Sequence, residues 1–249
     1  MRQAVLSLRQ LSKAFGAVPV AVAIDLEIEA GEVHAIIGPN GAGKTSLINQ
    51  ISGALSPDGG RIIFAGRDVT DLSVAARARL GFGRSFQITQ ILPRFTALEN
   101  VAIAAQARAG SSFRFWRPAG DEAALKRAAA EALDGVALTG RANTRAGVLP
   151  HGDKRRLEIA IALAHDPKLL LLDEPMAGAG GEDAERLIAT LKDLKGRYTM
   201  LLVEHDMQAV FALADRISVL VAGRLIATGS PQAVRADPAV RAAYLGEAA

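Results

Sequence analysis

The sequence predicts an α/β fold built on a parallel β-sheet that is covered by helices on both faces. Four short, mainly apolar segments are typical of strands in such a sheet, at residues 33–37, 169–172, 199–203 and 217–221. Segments with helical periodicity separate them. A glycine-rich turn joins the first apolar segment to a helix. Strands that alternate with helices in this way are the pattern of a parallel sheet.

The first third of the chain predicts additional strands. Residues 4–30 predict two or three short strands with a turn at Gly16, and residues 30–31 form another turn. The two glycines at 59–60 predict a turn before a strand at 61–64.

The middle and the end of the chain predict helices. From about residue 69 to residue 164 the pattern is mostly helical, and it is clearest at 98–107 and 121–133. A Ser-Pro pair near the C-terminus is typical of a helix start. The other predicted helices are 154–164, 182–194 and 207–214.

Composition excludes several classes of protein. The formal charge is only +3 and the basic residues are scattered, which gives little support for nucleic-acid binding. The absence of cysteine excludes disulfides, iron–sulfur ligation and thiolate zinc sites. No stretch approaches the ~18 uninterrupted apolar residues of a membrane helix. We therefore expect any role at a membrane to depend on a partner.

A complete phosphate-binding loop of the form G-x-x-x-x-G-K-T follows the first apolar segment. Its glycines let backbone N–H groups surround a phosphate, and the N-terminus of the next helix adds positive potential. Lys44 is suited to the β- and γ-phosphates, and the Thr45 hydroxyl to Mg²⁺. The nucleotide-binding residues predicted here are Gly38, Pro39, Asn40, Gly41, Ala42, Gly43, Lys44, Thr45 and Ser46.

Two carboxylates end the second apolar segment, at Asp173 and Glu174. A buried strand that ends in Asp places it at the carboxyl edge of the sheet, beside the phosphate loop. There Asp173 is suited to hold Mg²⁺ and Glu174 to polarise a water for attack on the γ-phosphate. His205 follows the next strand and is suited to hold that water in line. Gln87 is a candidate contact for the metal or the water.

The ordered set of motifs resembles the ATP-binding subunit of an ABC transporter. The set comprises the phosphate loop, Gln87, the segment Leu149-Pro150-His151-Gly152-Asp153, Leu172-Asp173-Glu174 and His205. Within that family the chain is most similar to the branched-chain amino acid importers. The segments that carry this closer likeness are Gly83-Arg84-Ser85-Phe86-Gln87, Leu98-Glu99-Asn100-Val101, 174–178, 203–207 and Tyr244-Leu245-Gly246-Glu247.

The resemblance implies a single ABC ATPase domain over residues 1–249, with a P-loop NTPase core, a parallel sheet and a small antiparallel β subdomain. Residues 1–87 and 161–249 would form the nucleotide-binding core. Residues 88–160 would form an inserted helical subdomain that carries the signature region. Phe15 would stack on adenine. His151, Gly152 and Asp153 of the signature would contact the ATP that is bound by the opposite subunit.

The resemblance also implies partners. They are a second ABC ATPase subunit (identical or a paralogue), membrane permease subunits and, indirectly, a periplasmic binding protein, with no nucleic acid. The chain would then lie at the cytoplasmic face of the inner membrane and power uptake of small polar solutes with ATP and Mg²⁺. The alternative is a soluble ABC ATPase that acts on a scaffold such as the one for iron–sulfur cluster assembly. A chromosome or DNA-repair ATPase would need long coiled coils or zinc modules, which this chain lacks.

The chain departs from the family pattern at two positions. Pro150 replaces a serine of the signature, and Gly180 stands where an Asp or Asn is usual. Separately, Phe113, Phe115 and Trp116 alternate with arginines, which fits either an amphipathic surface patch or a loop packed on the helical subdomain.

Overall fold

The computed structural model describes residues 4–85, 91–108 and 119–245. Its larger sheet has six strands in the order β10-β9-β3-β8-β7-β6. All neighbouring strands from β9 to β6 are parallel, and β10 joins the edge in an antiparallel direction. The strands are β3 (Val33–Ile37), β6 (Phe82–Ser85), β7 (Leu169–Asp173), β8 (Met200–Val203), β9 (Arg216–Val221) and β10 (Arg224–Gly229). The predicted α/β class and parallel sheet are confirmed.

The smaller sheet is antiparallel, with four strands in the order β2-β1-β4-β5. They are β1 (Ala4–Phe15), β2 (Val18–Glu29), β4 (Gly59–Phe64) and β5 (Arg67–Asp68). Two or three short strands were predicted in residues 4–30, and this prediction is wrong about their length. Two strands of 12 residues pair there across the turn at Gly16, and register shifts bend them. The strand predicted at 61–64 begins two residues earlier, at Gly59.

The helices are α1 (Lys44–Ser52), α2 (Val74–Leu80), α3 (Ala97–Arg108), α4 (Ala119–Asp134), α5 (His151–Leu163), α6 (Gly181–Leu194), α7 (Met207–Leu213), α8 (Pro231–Ala236) and α9 (Pro238–Val240). A π-helical turn, Arg241–Leu245, follows α9. The predicted helices at 98–107, 121–133, 182–194 and 207–214 are present within two residues. The helix predicted to begin at residue 154 begins at His151, so the signature residues lie in its first turn. Within the described parts of the chain, no helix is both long and apolar enough to cross a membrane.

The central strands separate two hydrophobic cores. Alternate residues of β7 point to opposite faces, so that Leu170 and Leu172 pack in one core and Leu169 and Leu171 in the other. The first core lies against α3 to α7, and the second lies between the parallel sheet, α1 and the antiparallel sheet. This burial on both faces explains why these strands have mainly apolar sequences without alternation.

One strand lies within the segment from 69 to 164, which was predicted to be mostly helical. Residues 82–85 form β6, which pairs in parallel with β7 so that Phe82 lies opposite Leu169. Its sequence, Phe-Gly-Arg-Ser, has no apolar run, and pairing with β7 determines its conformation. A Cβ at Gly83 would lie 2.8 Å from Pro167 Cβ, so glycine allows the close approach of the neighbouring chain.

A buried polar network lies at the amino end of β3. His34 is fully buried, and its Nδ1 and Nε2 lie 2.8 Å from Glu32 Oε1 and Ser218 Oγ, respectively. Ser218 Oγ lies 2.8 Å from Thr228 Oγ1 on the edge strand β10. Burial raises the pKa of Glu32, but hydrogen bonds from His34 and from the Glu29 N–H outweigh it and hold this pKa below its ordinary value. The network joins β3, β9 and β10 at the end of the sheet opposite the phosphate loop.

Candidate nucleotide site

The phosphate loop connects β3 to α1 and is held between two other strands. Gly38 has φ +154°, and a Cβ there would lie 1.9 Å from the carbonyl oxygen of Leu220 in β9. Gly43 has φ +103°, and its Cβ would lie 2.1 Å from the carbonyl oxygen of Val20 in β2. Both positions therefore need glycine for backbone conformation and for space. The loop folds back at Pro39, whose carbonyl accepts the N–H of Ala42 at 3.2 Å.

Lys44 extends back into the hollow of this loop. Its Nζ donates to the carbonyl oxygens of Gly38 at 2.6 Å and Pro39 at 2.9 Å. Burial lowers the pKa of Lys44, while the Glu174 and Asp173 carboxylates act in the opposite direction. A shielded cation within the loop is an arrangement suited to a phosphate group.

A cleft lies at the phosphate loop, and an aromatic ring is part of its lining. It is lined by Phe15, Val20, residues 40–46 and Glu174. Phe15 is 53% exposed and so does not fill the core of the antiparallel sheet. Lys13 Nζ lies 5.7 Å from the centroid of its ring. The ring is thus available to stack on a planar group in the cleft.

Asp173 is the last residue of β7 and is buried. Its Oδ2 lies 3.4 Å from Arg84 Nη2, whereas its Oδ1 has no hydrogen-bond partner among the described residues. Burial raises the pKa of Asp173, and the Arg84 guanidinium partly opposes this change. A buried carboxylate oxygen without a donor is suited to a cation or to a water that a cation holds.

Arg84 is a site residue that sequence reasoning did not single out. Its guanidinium donates to Ser52 Oγ and to Asn49 Oδ1, each at 2.7 Å, in addition to its ion pair with Asp173. It therefore joins α1, which begins at the phosphate loop, to the acidic end of β7. The sequence indicated only that Arg84 belongs to the Gly83–Gln87 segment. Its position beside Asp173 depends on strand β6, which was not predicted.

Glu174 follows in a left-handed conformation, with φ +48°. Its N–H donates to the carbonyl of Val203 at 2.8 Å, which fixes it against β8. His205 Nδ1 lies 3.9 Å from Glu174 Oε1, and the imidazole is 58% exposed. The structure thus brings Glu174 and His205 together at the carboxyl edge of the sheet, beside the cleft. Sequence reasoning missed the buried Glu204 next to them, because an acid after a strand is usually solvated.

The signature residues lie elsewhere, at the start of α5. Pro150 is the N-cap and makes no side-chain capping hydrogen bond. A Cβ on Gly152 would lie 2.6 Å from the Asp183 carboxyl carbon, so α5 and α6 begin in close contact. Residues 151–153 are not among those that line the cleft of this chain. Gln87 and the aromatic residues Phe113, Phe115 and Trp116 lie outside the described residues.

Together, the glycine loop between two strands, the buried lysine and the Asp-Glu pair at the end of the adjacent strand define a P-loop nucleoside triphosphatase.

Comparisons with known proteins identify the family. A family model described as "ABC transporter" matches residues 22–177, and one described as "Branched-chain amino acid ATP-binding cassette transporter" matches residues 224–249. The chain is 37% identical over 255 residues to the high-affinity branched-chain amino acid transport ATP-binding protein BraF of Pseudomonas aeruginosa. The alignment covers 100% of both chains.

Solved structures agree. An ATP-binding cassette of an ABC transporter in its ADP conformation superposes with a TM-score of 0.86 at 31% identity, covering 98% of this chain and 99% of that one. A dimeric cassette in a post-hydrolysis state with ADP and Pi gives 0.76 at 25% identity, covering 91% and 98%. The chain belongs to the ABC transporter family, and it is an ATPase.

Proposed function

We propose that this chain is the ATP-hydrolysing subunit of an importer for branched-chain amino acids. The full-length likeness to BraF and the matching C-terminal family model support the substrate class. The proposed hydrolysis is supported by the position of Glu174. This residue lines the cleft beside the phosphate loop, and its Oε1 lies 3.9 Å from His205 Nδ1.

In this proposal the backbone N–H groups of residues 38–46 and Lys44 bind the phosphates, and Phe15 stacks on adenine. Asp173 Oδ1, which has no hydrogen-bond partner among the described residues, and the hydroxyl of the exposed residue Thr45 at the start of α1 fit a hard cation such as Mg²⁺. When bound, Mg²⁺ neutralises charge that develops on the phosphates. Gln87 is proposed as a further contact.

Glu174 takes a proton from the attacking water, and His205 holds that water in line with the γ-phosphate. The left-handed backbone at Glu174 and its hydrogen bond to Val203 hold this cleft-lining residue in place. Lys44 lies in the loop to neutralise the γ-phosphate oxygens; burial lowers its pKa, and the neighbouring carboxylates oppose this effect.

We also propose that the chain acts with a second ATPase subunit, identical or a paralogue. Its His151, Gly152 and Asp153 would then contact the nucleotide of the partner, which agrees with the fact that they do not line its own cleft and with the existence of a dimeric cassette among the similar structures. Pro150 offers no hydroxyl for that contact. Residues 88–160 would meet permease subunits at the cytoplasmic face of the inner membrane, and residues 1–87 and 161–249 would form the core.

The catalytic proposal is tested with two variants of the purified chain. Glu174→Gln should retain ATP binding and lose turnover by about 10²–10⁴-fold, because the amide keeps the shape but cannot accept the proton. Lys44→Ala should instead weaken ATP binding itself, measured by direct titration, because it deletes the cation in the loop. Turnover close to wild type in the Glu174→Gln variant would remove the general-base role.

The substrate class is tested by uptake in the source organism. Deletion of this chain should reduce uptake of labelled leucine, isoleucine and valine. The wild-type chain should restore uptake, and the Glu174→Gln variant should not. Unchanged uptake together with loss of iron–sulfur enzyme activity would favour the soluble scaffold ATPase instead.

A further inference from the structure

Glu204 is a fully buried carboxylate that binds both loops of the catalytic site. It is the first residue after β8, and its side chain is 0% exposed. Its Oε1 accepts the N–H of Met176 at 2.8 Å, and its Oε2 accepts the N–H groups of His205 at 2.9 Å and Asp206 at 3.1 Å. Met176 lies two residues after Glu174. One side chain therefore connects the segment after Glu174 to the segment of His205.

The chemistry of this position favours a carboxylate over any neutral group. A buried charge needs compensation, and here three backbone donors supply it. Within the described parts of the chain, no lysine or arginine forms an ion pair with Glu204. The His205 side chain lies near it, with Nδ1 3.7 Å from Glu204 Oε2. A glutamine of the same shape would turn its NH₂ group toward at least one N–H, because only one of its two terminal atoms is an acceptor.

Glu204 also fixes the chain close to Glu174, whose backbone is strained. Glu174 has φ +48°, a conformation that persists only where its surroundings hold it. On one side its own N–H is fixed by Val203, and on the other side the chain is fixed by the bond from Met176 to Glu204. The same carboxylate sets the backbone of His205. Glu204 thus joins the two backbone segments that carry Glu174 and His205, whose side chains lie 3.9 Å apart.

We propose that Glu204 is a positioning residue for ATP hydrolysis, which holds Glu174 and His205 in their mutual arrangement through the amides of Met176, His205 and Asp206. This inference rests on the proposed roles of Glu174 and His205. Glu204 does not line the nucleotide cleft, so it acts on turnover and not on nucleotide affinity.

The test compares Glu204→Gln with a matched control, Glu32→Gln. Glu32 is also a buried glutamate that accepts hydrogen bonds, but it lies at the opposite end of the sheet. Glu204→Gln should lower kcat by about 10- to 100-fold, as is typical when the support of a reacting group is lost, with ATP affinity unchanged by titration. Hydrogen exchange should accelerate at the amides of Met176, His205 and Asp206. Glu32→Gln should leave kcat and these amides unchanged.

A double variant shows whether Glu204 acts through Glu174. Adding Glu204→Gln to Glu174→Gln should cause no further loss of turnover if the two residues form one unit. If Glu204→Gln does not fold, Glu204→Asp takes its place, since it keeps the charge and is too short to reach both segments. An unchanged kcat, a parallel loss of ATP affinity, or an equal loss of kcat in Glu32→Gln would overturn the inference. Wild-type turnover in Glu174→Gln would instead overturn the proposed catalysis, whatever Glu204 does.

Discussion

Replacing Gly43 by alanine tests how the phosphate loop is held. A Cβ at Gly43 would lie 2.1 Å from the carbonyl oxygen of Val20, so β2 and the loop must separate. The left-handed backbone at φ +103° costs an L-residue about 1–2 kcal/mol. Overpacking against the fixed backbone adds about 1–3 kcal/mol. Gly43→Ala should therefore lower the free energy of unfolding by about 2–5 kcal/mol.

Gly41 provides the matched control within the same loop. It also has positive φ, +78°, but no atom of the described residues outside its immediate neighbours lies within 4 Å of a Cβ built there. Gly41→Ala should cost only the conformational part, about 1–2 kcal/mol. Replacing glycine by alanine also lowers the conformational entropy of the unfolded chain. This effect is the same in both variants, so it cancels when their free energies of unfolding are compared.

Urea unfolding followed by circular dichroism measures both free energies, and titration measures ATP affinity. Val20 also lines the cleft, so Gly43→Ala should weaken ATP binding more than Gly41→Ala. Equal stability of the two variants would refute the reasoning that β2 confines the loop.

Two further predictions concern Phe15 in the cleft and Glu32 in the buried polar network at the amino end of β3. Phe15→Ala should weaken ATP binding about 5- to 30-fold by titration, as expected for the loss of one stacking contact. Phe95→Ala, at another exposed phenylalanine outside the cleft, should leave ATP affinity unchanged; an equal loss in both would exclude stacking. Because the folded-state pKa of Glu32 is below its ordinary value of 4.5, Glu32 contributes stability that is present above that value and is lost as the pH falls through the folded pKa. The difference in unfolding free energy between wild type and Glu32→Gln should therefore narrow below about pH 4.5, and a constant difference would contradict this assignment.

Much of the nucleotide site could be predicted because its residues follow local rules. The phosphate loop has a fixed spacing, and Asp173 follows a strand that is apolar on both faces, which places it at the carboxyl edge beside the loop. Strand order in a parallel sheet also brings His205 to the same edge. These inferences need only the chain around each motif.

The parts that sequence reasoning missed depend on contacts between distant segments. Strand β6 has no apolar run and is specified by its pairing with β7, so Arg84 could not be placed beside Asp173. Glu204 is buried, and one of its hydrogen-bond donors, the N–H of Met176, comes from another loop. No local pattern distinguishes such an acid from one in water.

The division of β7 between two cores has a consequence for how the molecule loses its structure. The leucines at 169 and 171 stabilise the core beneath the antiparallel sheet, and those at 170 and 172 stabilise the core against the helices. Melting either core would expose one face of the same strand to water and remove part of the support for the other core. We therefore expect the antiparallel sheet and the helical layer to unfold in one cooperative transition, even though they lie on opposite sides of the parallel sheet.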